Sequence, residues 1–331
     1  MGDALRLLIV KMSSMGDVIH ALPVVSDIAR ALPGAQIDWV IEEGFSPLPR
    51  LHPGVRNVLP VALRRWRRTL LAPSTWSELR AARRNLRATR YDRIIDIQGL
   101  LKSAWVARWG HGPTSGFDRE SAREPSAARC YDRRFSVGRS LHAIERNRRL
   151  VATALGFALD GPPRFTLAVP ELNQAGLVDL AARGPYAVLL TNTSRETKLW
   201  PTQAWHRVEE DLARRGMQSI LVWGSDEEGT ATRALAKDMV DALVAPRSSL
   251  DQLAALLAGA RVVVGVDTGL THLAAAVGAP TIGIFCDYDP SLVGIRGDAP
   301  SESLGSASGG PSADEVVAAL DRVLARSAVT R

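Results

Sequence analysis

The chain of 331 residues is longer than one hydrophobic core comfortably serves, so two domains of roughly 150 residues each are expected. With 46% hydrophobic and 23% charged residues it excludes large-scale disorder, and its two distant cysteines, Cys130 and Cys286, encode neither a disulfide framework nor a zinc site. The net charge of +6 hides a split: residues 1–165 carry 27 Lys+Arg against 15 Asp+Glu, and residues 166–331 carry 14 against 20.

The chain opens on an apolar run, "LRLLIV", too short for a signal-peptide core, and the later run "LAAAVGAPTIGIF" is broken by Gly and Pro. A cytosolic protein that does not span a membrane is expected. In the first half, "LRLLIV", "IDWVIE", "NVLPVA" and "RIIDIQ" read as strands, and helical spacing predicts helices over 17–32, 76–88 and 141–155. After "FALDGPPRFTL", a Gly/Pro break that marks the best domain boundary, the pattern resumes with "YAVLLTNT", "SILVWG", "ALVAP", "RVVVGVD" and "TIGIFC". Helices are expected there over 202–215, 228–239, 250–258, 269–277 and 312–325, with "APSESLGSASGGPSADE" a surface loop before the last. Such alternation is that of βαβ units and parallel sheets, so the fold class is α/β with two Rossmann-like domains. In such sheets ligands bind beyond the C-terminal ends of the strands, in a crevice expected between the halves.

Strand-to-helix turns are therefore where chemistry is sought. In "KMSSMGDVIH" the small residues Ser14 and Gly16 let backbone amides approach a ligand, and Asp17 is either a helix cap or a proton acceptor. In "VVVGVDTGLTHLAAA", Asp267, Thr268 and Gly269 open a helix on which a diphosphate can rest, with His272 one turn in; the alternative is a plain Asp-Thr cap. "TNTSRETKLWP" offers Thr193, Ser194 and Lys198 to phosphates, Lys198 being one of only four lysines among 41 basic residues. "VWGSDEEG" places Asp226, Glu227 and Glu228 where a carboxylate can accept from ribose hydroxyls or merely complement a helix dipole. "LRRWRR", with Arg64, Arg65, Arg67 and Arg68, and Arg123 of "SAREPS" suit carboxylates or phosphates, because guanidinium forks bind both. A nucleic-acid patch is the competing reading of these arginines, but no groove-reading or RNA-binding module accompanies them.

Over nearly its whole length the chain resembles the bacterial lipopolysaccharide heptosyltransferases, on the ordered set "LLIVKMSSMGDVIHALP", "WVIEEGF", "RRWRR", "IDIQGLLKSA", "AREP", "HAIER", "KLWP" and "LLAGARVVVGVDTGLTHLAAAVGAPTIGIF". "SSMGDVIH", "RRWRR" and "AREP" make it most similar to the members that add the first heptose. The resemblance implies a GT-B fold whose two parallel sheets face a central cleft. It implies domains over 1–162, which binds acceptor, and 163–310, which binds nucleotide sugar, with a final helix over 311–331 returning to the first domain. It also implies an inverting, metal-independent glycosyltransferase without cofactor, moving heptose from ADP-L-glycero-β-D-manno-heptose to Kdo of Kdo2-lipid A. Such an enzyme would work in the inner core of a Gram-negative envelope, peripheral on the cytoplasmic face of the inner membrane. By the same resemblance Asp17 is the general base, Lys198 acts on the leaving group, and Thr193, Ser194, Glu228, Asp267, Thr268, Gly269 and His272 hold the donor. Ser14, Gly16, Arg64, Arg65, Arg67 and Arg123 then meet the acceptor, and the basic half faces an anionic inner leaflet, with no nucleic acid as partner. The same family also holds enzymes that add the second heptose, and GT-B epimerases consume nucleotide sugars without an acceptor. "CDYDP" stands where many relatives have "GPTDP", and Ser248 where a methionine can line the adenine pocket.

Overall fold

The computed structural model describes residues 4–193 and 195–329 and divides into two compact units, Met1–Thr166 and Leu167–Arg331. The first runs β1 (Arg6–Val10), α1 (Met15–Ile19), α2 (Pro23–Ala31), β2 (Gln36–Glu42), α3 (Pro47–Arg50), β3 (Val55–Val61), α4 (Leu63–Trp66), α5 (Pro73–Ala88), β4 (Arg93–Asp96), α6 (Leu101–Ala107), β5 (Thr114–Phe117), β6 (Arg133–Phe135) and α7 (Ala143–Leu155). The second runs α8 (Ala175–Ala181), β7 (Tyr186–Leu190), α9 (Thr202–Arg214), β8 (Gln218–Leu221), α10 (Asp226–Ala236), β9 (Ala242–Val244), α11 (Leu250–Gly259), β10 (Val262–Val266), α12 (Gly269–Ala276), β11 (Thr281–Phe285), α13 (Pro290–Val293), β12 (Ser301–Gly305) and α14 (Ala313–Val329).

Each unit holds one six-stranded sheet, ordered β3-β2-β1-β4-β5-β6 in the first and β12-β11-β10-β7-β8-β9 in the second. Every pair of neighbouring strands is parallel. The two orders are the same winding written twice, with the direction of winding reversing between β1 and β4 and between β7 and β10. The central strands are apolar throughout because helices cover both faces: Leu7, Leu8, Ile9 and Val10 of β1 and Val262, Val263, Val264 and Val266 of β10 are fully buried. Among the described residues no helix is long and apolar enough to cross a membrane.

Several expected elements come out differently. The helix expected over 17–32 is two: Pro23, with no N–H to donate, ends the first pattern and takes the first turn of α2, where its fixed φ fits. The segment expected as a loop before the last helix contains β12, whose "SESLG" has no hydrophobic run to reveal it. β12 is a strand through its backbone pairing along β11, from Thr281↔Ser301 to Phe285↔Gly305. The units divide after Thr166 rather than 162. Residues 160–166 are tied to the first unit by Arg30 Nη2 donating to the Asp160 carbonyl (2.5 Å), Arg148 Nη2 to the Gly161 carbonyl (3.0 Å) and the Ser26 hydroxyl to Thr166 Oγ1 (3.2 Å).

The last helix, α14, packs on α9, β11 and β12 of the second unit. Val316, Ala319, Leu320 and Val323 are fully buried in a cluster with Trp205, Val208 and Leu212 of α9 and Ile282 and Ile284 of β11. Burial of an aliphatic side chain contributes about 1.5–3 kcal/mol, so this face alone outweighs a solvent-exposed alternative. Arg215–Asp321 (2.8 Å) and Arg322–Glu302 (2.7 Å) fix its outer edge to the same unit.

Candidate active site

At a reversal of strand order the two loops leaving adjacent strands diverge and open space at the C-terminal edge of the sheet. In the first unit those loops follow β1 and β4. The β1 loop ends at Ser14, the N-cap of α1, whose backbone amide (3.1 Å) and hydroxyl (3.0 Å) both donate to Asp17 Oδ2. Asp17 is therefore the third residue of a capping box rather than the cap itself. Its other oxygen is 4.0 Å from Lys11 Nζ, Arg123 Nη1 is 3.7 Å from Oδ2, and the side chain keeps 31% of its exposure. Burial works against its ionisation, but the Lys11 ammonium, the Ser14 bonds and the Arg123 guanidinium prevail and hold the carboxyl below its ordinary range. Asp17 is thus an ionised, partly exposed carboxylate. Gly16 is the second residue of α1, beside it in the same turn.

Lys11 was not singled out from the sequence, although the rarity that marks Lys198 applies to it equally. It is the residue after β1, 6% exposed, and donates to the Ile97 carbonyl after β4 (3.4 Å), so it spans the strand reversal. Burial depresses its pKa, while Asp17 and Asp96 draw it back up.

Arg123 is held against Asp17 by its neighbour in "AREP". The Glu124 amide donates to the Gly99 carbonyl (2.9 Å), and the Glu124 carboxylate accepts from the Leu101 amide at the start of α6 (2.7 Å). Gly99 has φ +68°, and a Cβ there would lie 3.3 Å from the Arg123 amide, so the approach of the two loops requires glycine. Beneath them the fully buried Asp96 accepts from the Ser103 and Tyr131 hydroxyls (both 2.7 Å) and the Gln98 amide (2.8 Å). Burial raises its pKa, and these bonds oppose the rise. Arg146 of "HAIER" stands over the Phe117 ring (5.0 Å), donates to the Ser121 carbonyl (2.6 Å), and has a buried Nε with no hydrogen-bond partner among the described residues.

The arginines of "LRRWRR" follow edge strand β3, at the same C-terminal edge of the sheet. Arg64 donates its amide to Glu42 (2.9 Å) and lays its guanidinium over Phe45 (5.1 Å). Arg65 is engaged by Glu43 (3.0 Å) and Glu78 (2.8 Å), which raise its pKa, so it braces α4 rather than presenting an open fork. Arg67 is exposed.

In the second unit the corresponding loops follow β7 and β10. Lys198, in a 3₁₀ turn after β7, pairs with the Asp267 carboxylate after β10, and its Nζ also donates to the Asp267 carbonyl (3.4 Å). His272 Nε2 is 3.3 Å from Asp267 Oδ1. Burial opposes charge on Asp267, yet His272 and Lys198 hold its pKa below the ordinary value. Thr268 is the N-cap of α12 and makes no side-chain capping bond; Gly269 is the first helical residue. Thr193, half-buried, lies in the β7 loop, and Ser194 lies outside the described residues. Glu228 is drawn into a capping box, its Oε2 accepting from Gly224 (2.8 Å) and Ser225 (3.1 Å) amides, which leaves Oε1 out of these bonds. Asp226 and Glu227, the first residues of α10, are exposed. A cavity of about 590 Å³ in this unit lies at the opposite, N-terminal edge, against Tyr186, Met217 and Arg261, away from these loops. Among the described residues no group of three or more His, Cys, Asp or Glu is placed to hold a metal ion.

Residues 79–306 match the model of glycosyltransferase family 9, the heptosyltransferases. Lipopolysaccharide heptosyltransferase 1 of Pseudomonas aeruginosa is 46% identical over 294 residues, 88% of this chain and 82% of that protein. The Escherichia coli heptosyltransferase WaaC solved with ADP superposes with a TM-score of 0.87 at 38% identity, covering 96% of this chain and 99% of that one. The same enzyme with ADP-2-deoxy-2-fluoro heptose gives 0.84 at 37% identity, with the same coverage. The two Rossmann-like sheets are those of the GT-B architecture expected from the sequence, and the chain belongs to glycosyltransferase family 9, the heptosyltransferases.

Proposed function

We propose that this glycosyltransferase moves L-glycero-D-manno-heptose from ADP-heptose to Kdo of Kdo2-lipid A, with inversion at the anomeric carbon. The observation that carries the reading is the ionised carboxylate of Asp17, held between Lys11 and Arg123 at the strand reversal of the first unit. Inversion is one displacement. A base takes the proton of the acceptor hydroxyl as its oxygen bonds to the anomeric carbon, and the bond to the ADP oxygen breaks with its electron pair. Asp17 Oδ1, the oxygen outside the Ser14 bonds, is the proton acceptor. Lys11 and Arg123 keep it ionised, and Arg123 and Arg146 offer guanidinium groups to the carboxylate that Kdo carries.

In the second unit the departing diphosphate meets Lys198 and the amides opening α12, a cation and a helix N-terminus in one place. Lys198 exchanges Asp267 for phosphate oxygens when donor binds, while Thr193, Ser194, Thr268, Gly269 and His272 supply further donors around it. Glu228 Oε1 accepts from the ribose. With Arg64 and Arg67 as outer acceptor contacts, the lipid-linked substrate places the enzyme peripherally at the cytoplasmic face of the inner membrane. No cofactor enters this chemistry.

Asp17→Asn tests the base. The amide preserves shape and can still face Ser14, but accepts no proton, so turnover of ADP-heptose with Kdo2-lipid A is expected to fall about 10²-fold or more while ADP affinity stays nearly unchanged. Near-normal turnover in Asp17→Asn would remove Asp17 as the base.

A further inference from the structure

The first unit carries a surface that the transfer reaction leaves unused. Helix α5 turns Leu79, Ala82 and Leu86 toward the core cluster of the first sheet, with Thr75 buried one turn earlier. The stripe on the flank beside this face, at spacings of four, seven, eight and eleven residues from Trp76, is Arg80, Arg83, Arg84 and Arg87, all exposed. These four arginines line a surface groove of about 420 Å³ and form no ion pair among the described residues. The nearest carboxylate on the helix, Glu78, is turned away to Trp66 Nε1 (2.8 Å) and Arg65 (2.8 Å).

At the N-terminal end of this stripe stand three large apolar side chains in water: Leu71 (99% exposed), Leu70 (53%) and Trp76 (48%). They are fixed rather than loose. Trp76 Nε1 donates to the Leu70 carbonyl (2.9 Å), and Thr75 Oγ1 bonds the Thr69 carbonyl (2.7 Å) and hydroxyl (2.8 Å) across the turn. The indole's polar group is satisfied inside the turn, which leaves its ring and two leucines as a preformed apolar tip.

We propose that this tip and the arginine stripe of α5 form a docking face for an anionic phospholipid bilayer. A cationic helix face beside exposed Trp and Leu is the composition of an interfacial element: the basic side chains meet lipid phosphates, and the apolar residues enter the acyl boundary. Aliphatic Leu70 and Leu71 argue against a nucleic acid, which has no acyl region to receive them and would favour stacking aromatics. The inference deepens the proposed function by naming the surface that brings the enzyme to its lipid-linked acceptor.

The full chain is floated with vesicles of phosphatidylglycerol and phosphatidylethanolamine, and with vesicles of phosphatidylcholine alone. Wild type is expected to bind the anionic vesicles about ten-fold or more tightly than the neutral ones, and R80Q/R83Q/R84Q/R87Q to lose that preference. L70S/L71S is expected to lose the part of binding that survives high salt. Both variants should melt as wild type does and should transfer heptose to detergent-dispersed Kdo2-lipid A at rates within about two-fold of wild type, since the face lies outside the reaction. Unchanged vesicle binding in the four-arginine variant overturns the proposal. So does arginine-dependent binding of a single-stranded RNA without vesicle binding, or an equal loss of transfer to the dispersed acceptor. Vesicle binding by wild type together with absent heptose transfer would leave the docking face standing and refute the proposed substrate instead.

Discussion

Asp17 serves twice, as third residue of a capping box and as the ionised group of the candidate site, and the two roles use different oxygens. A depressed carboxyl keeps its charge, and the stability its partners give it, at all pH values above the ordinary carboxylate range, and loses both only as pH falls through its folded value. Turnover is accordingly expected to show no acid limb from Asp17 between about pH 5 and pH 8. Lys11→Met, which removes the charge that does most to hold the Asp17 carboxyl down, should move the acid limb of kcat upward; an unmoved profile would show that Lys11 does not set the charge of Asp17. At Gly99 the positive φ and the 3.3 Å approach to the Arg123 amide act together. Gly99→Ala is expected to cost about 1–2 kcal/mol in urea unfolding and to raise KM for acceptor while leaving KM for ADP-heptose unchanged. A variant with wild-type acceptor KM would show that the loop placement of Arg123 is not needed.

Among the elements, α2 and α7 are joined by a buried bidentate pair: Arg148 Nε donates to Asp27 Oδ2 (2.7 Å) and Nη2 to Oδ1 (3.0 Å), with both side chains under 5% exposed. Asp27→Ala leaves the buried Arg148 guanidinium only Glu145 (3.2 Å) and the Gly161 carbonyl (3.0 Å), so it is expected to destabilise the first unit by about 3 kcal/mol in urea unfolding, and Asp27→Ala/Arg148→Met by less. Equal losses in the single and double variants would mean that the buried charge itself is not the cost. Nothing in the sequence joins residue 27 to residue 148, because the pair depends on tertiary packing. What the sequence does carry at this scale is hydrophobic period. The buried central strands were legible as apolar runs, whereas β5, β6 and β12, with "TSGF", "RRF" and "SESLG", are held by backbone pairing at or near a sheet edge and offer no run to read. Lys198, Asp267 and His272 were legible as strand-end residues, and the structure brings the three together. Arg65 was legible only as charge, since its partners Glu43 and Glu78 lie 22 and 13 positions away on other elements.

For the whole molecule, the same six-stranded winding occurs twice, and the central candidate residues, Lys11 and Asp17 in the first unit and Lys198, Asp267 and His272 in the second, follow strands at the reversal, whereas Arg64, Arg65 and Arg67 follow β3, Arg123 follows β5 and Glu228 follows β8. That placement follows from topology alone, which is why strand-to-helix turns could be singled out before any contact was known. The uneven charge, 27 basic against 15 acidic residues in the first 165, was legible as a preference for an anionic partner; its division between an acceptor site and the α5 face was not, because it depends on which way each arginine points. The central claim is tested most directly by incubating the purified chain with ADP-heptose and Kdo2-lipid A and determining the mass of the lipid product. A product heavier by one heptose, formed on Kdo2-lipid A and absent with an already heptosylated acceptor, is the expected result. Transfer only to the heptosylated acceptor, or consumption of ADP-heptose without any acceptor, would contradict it.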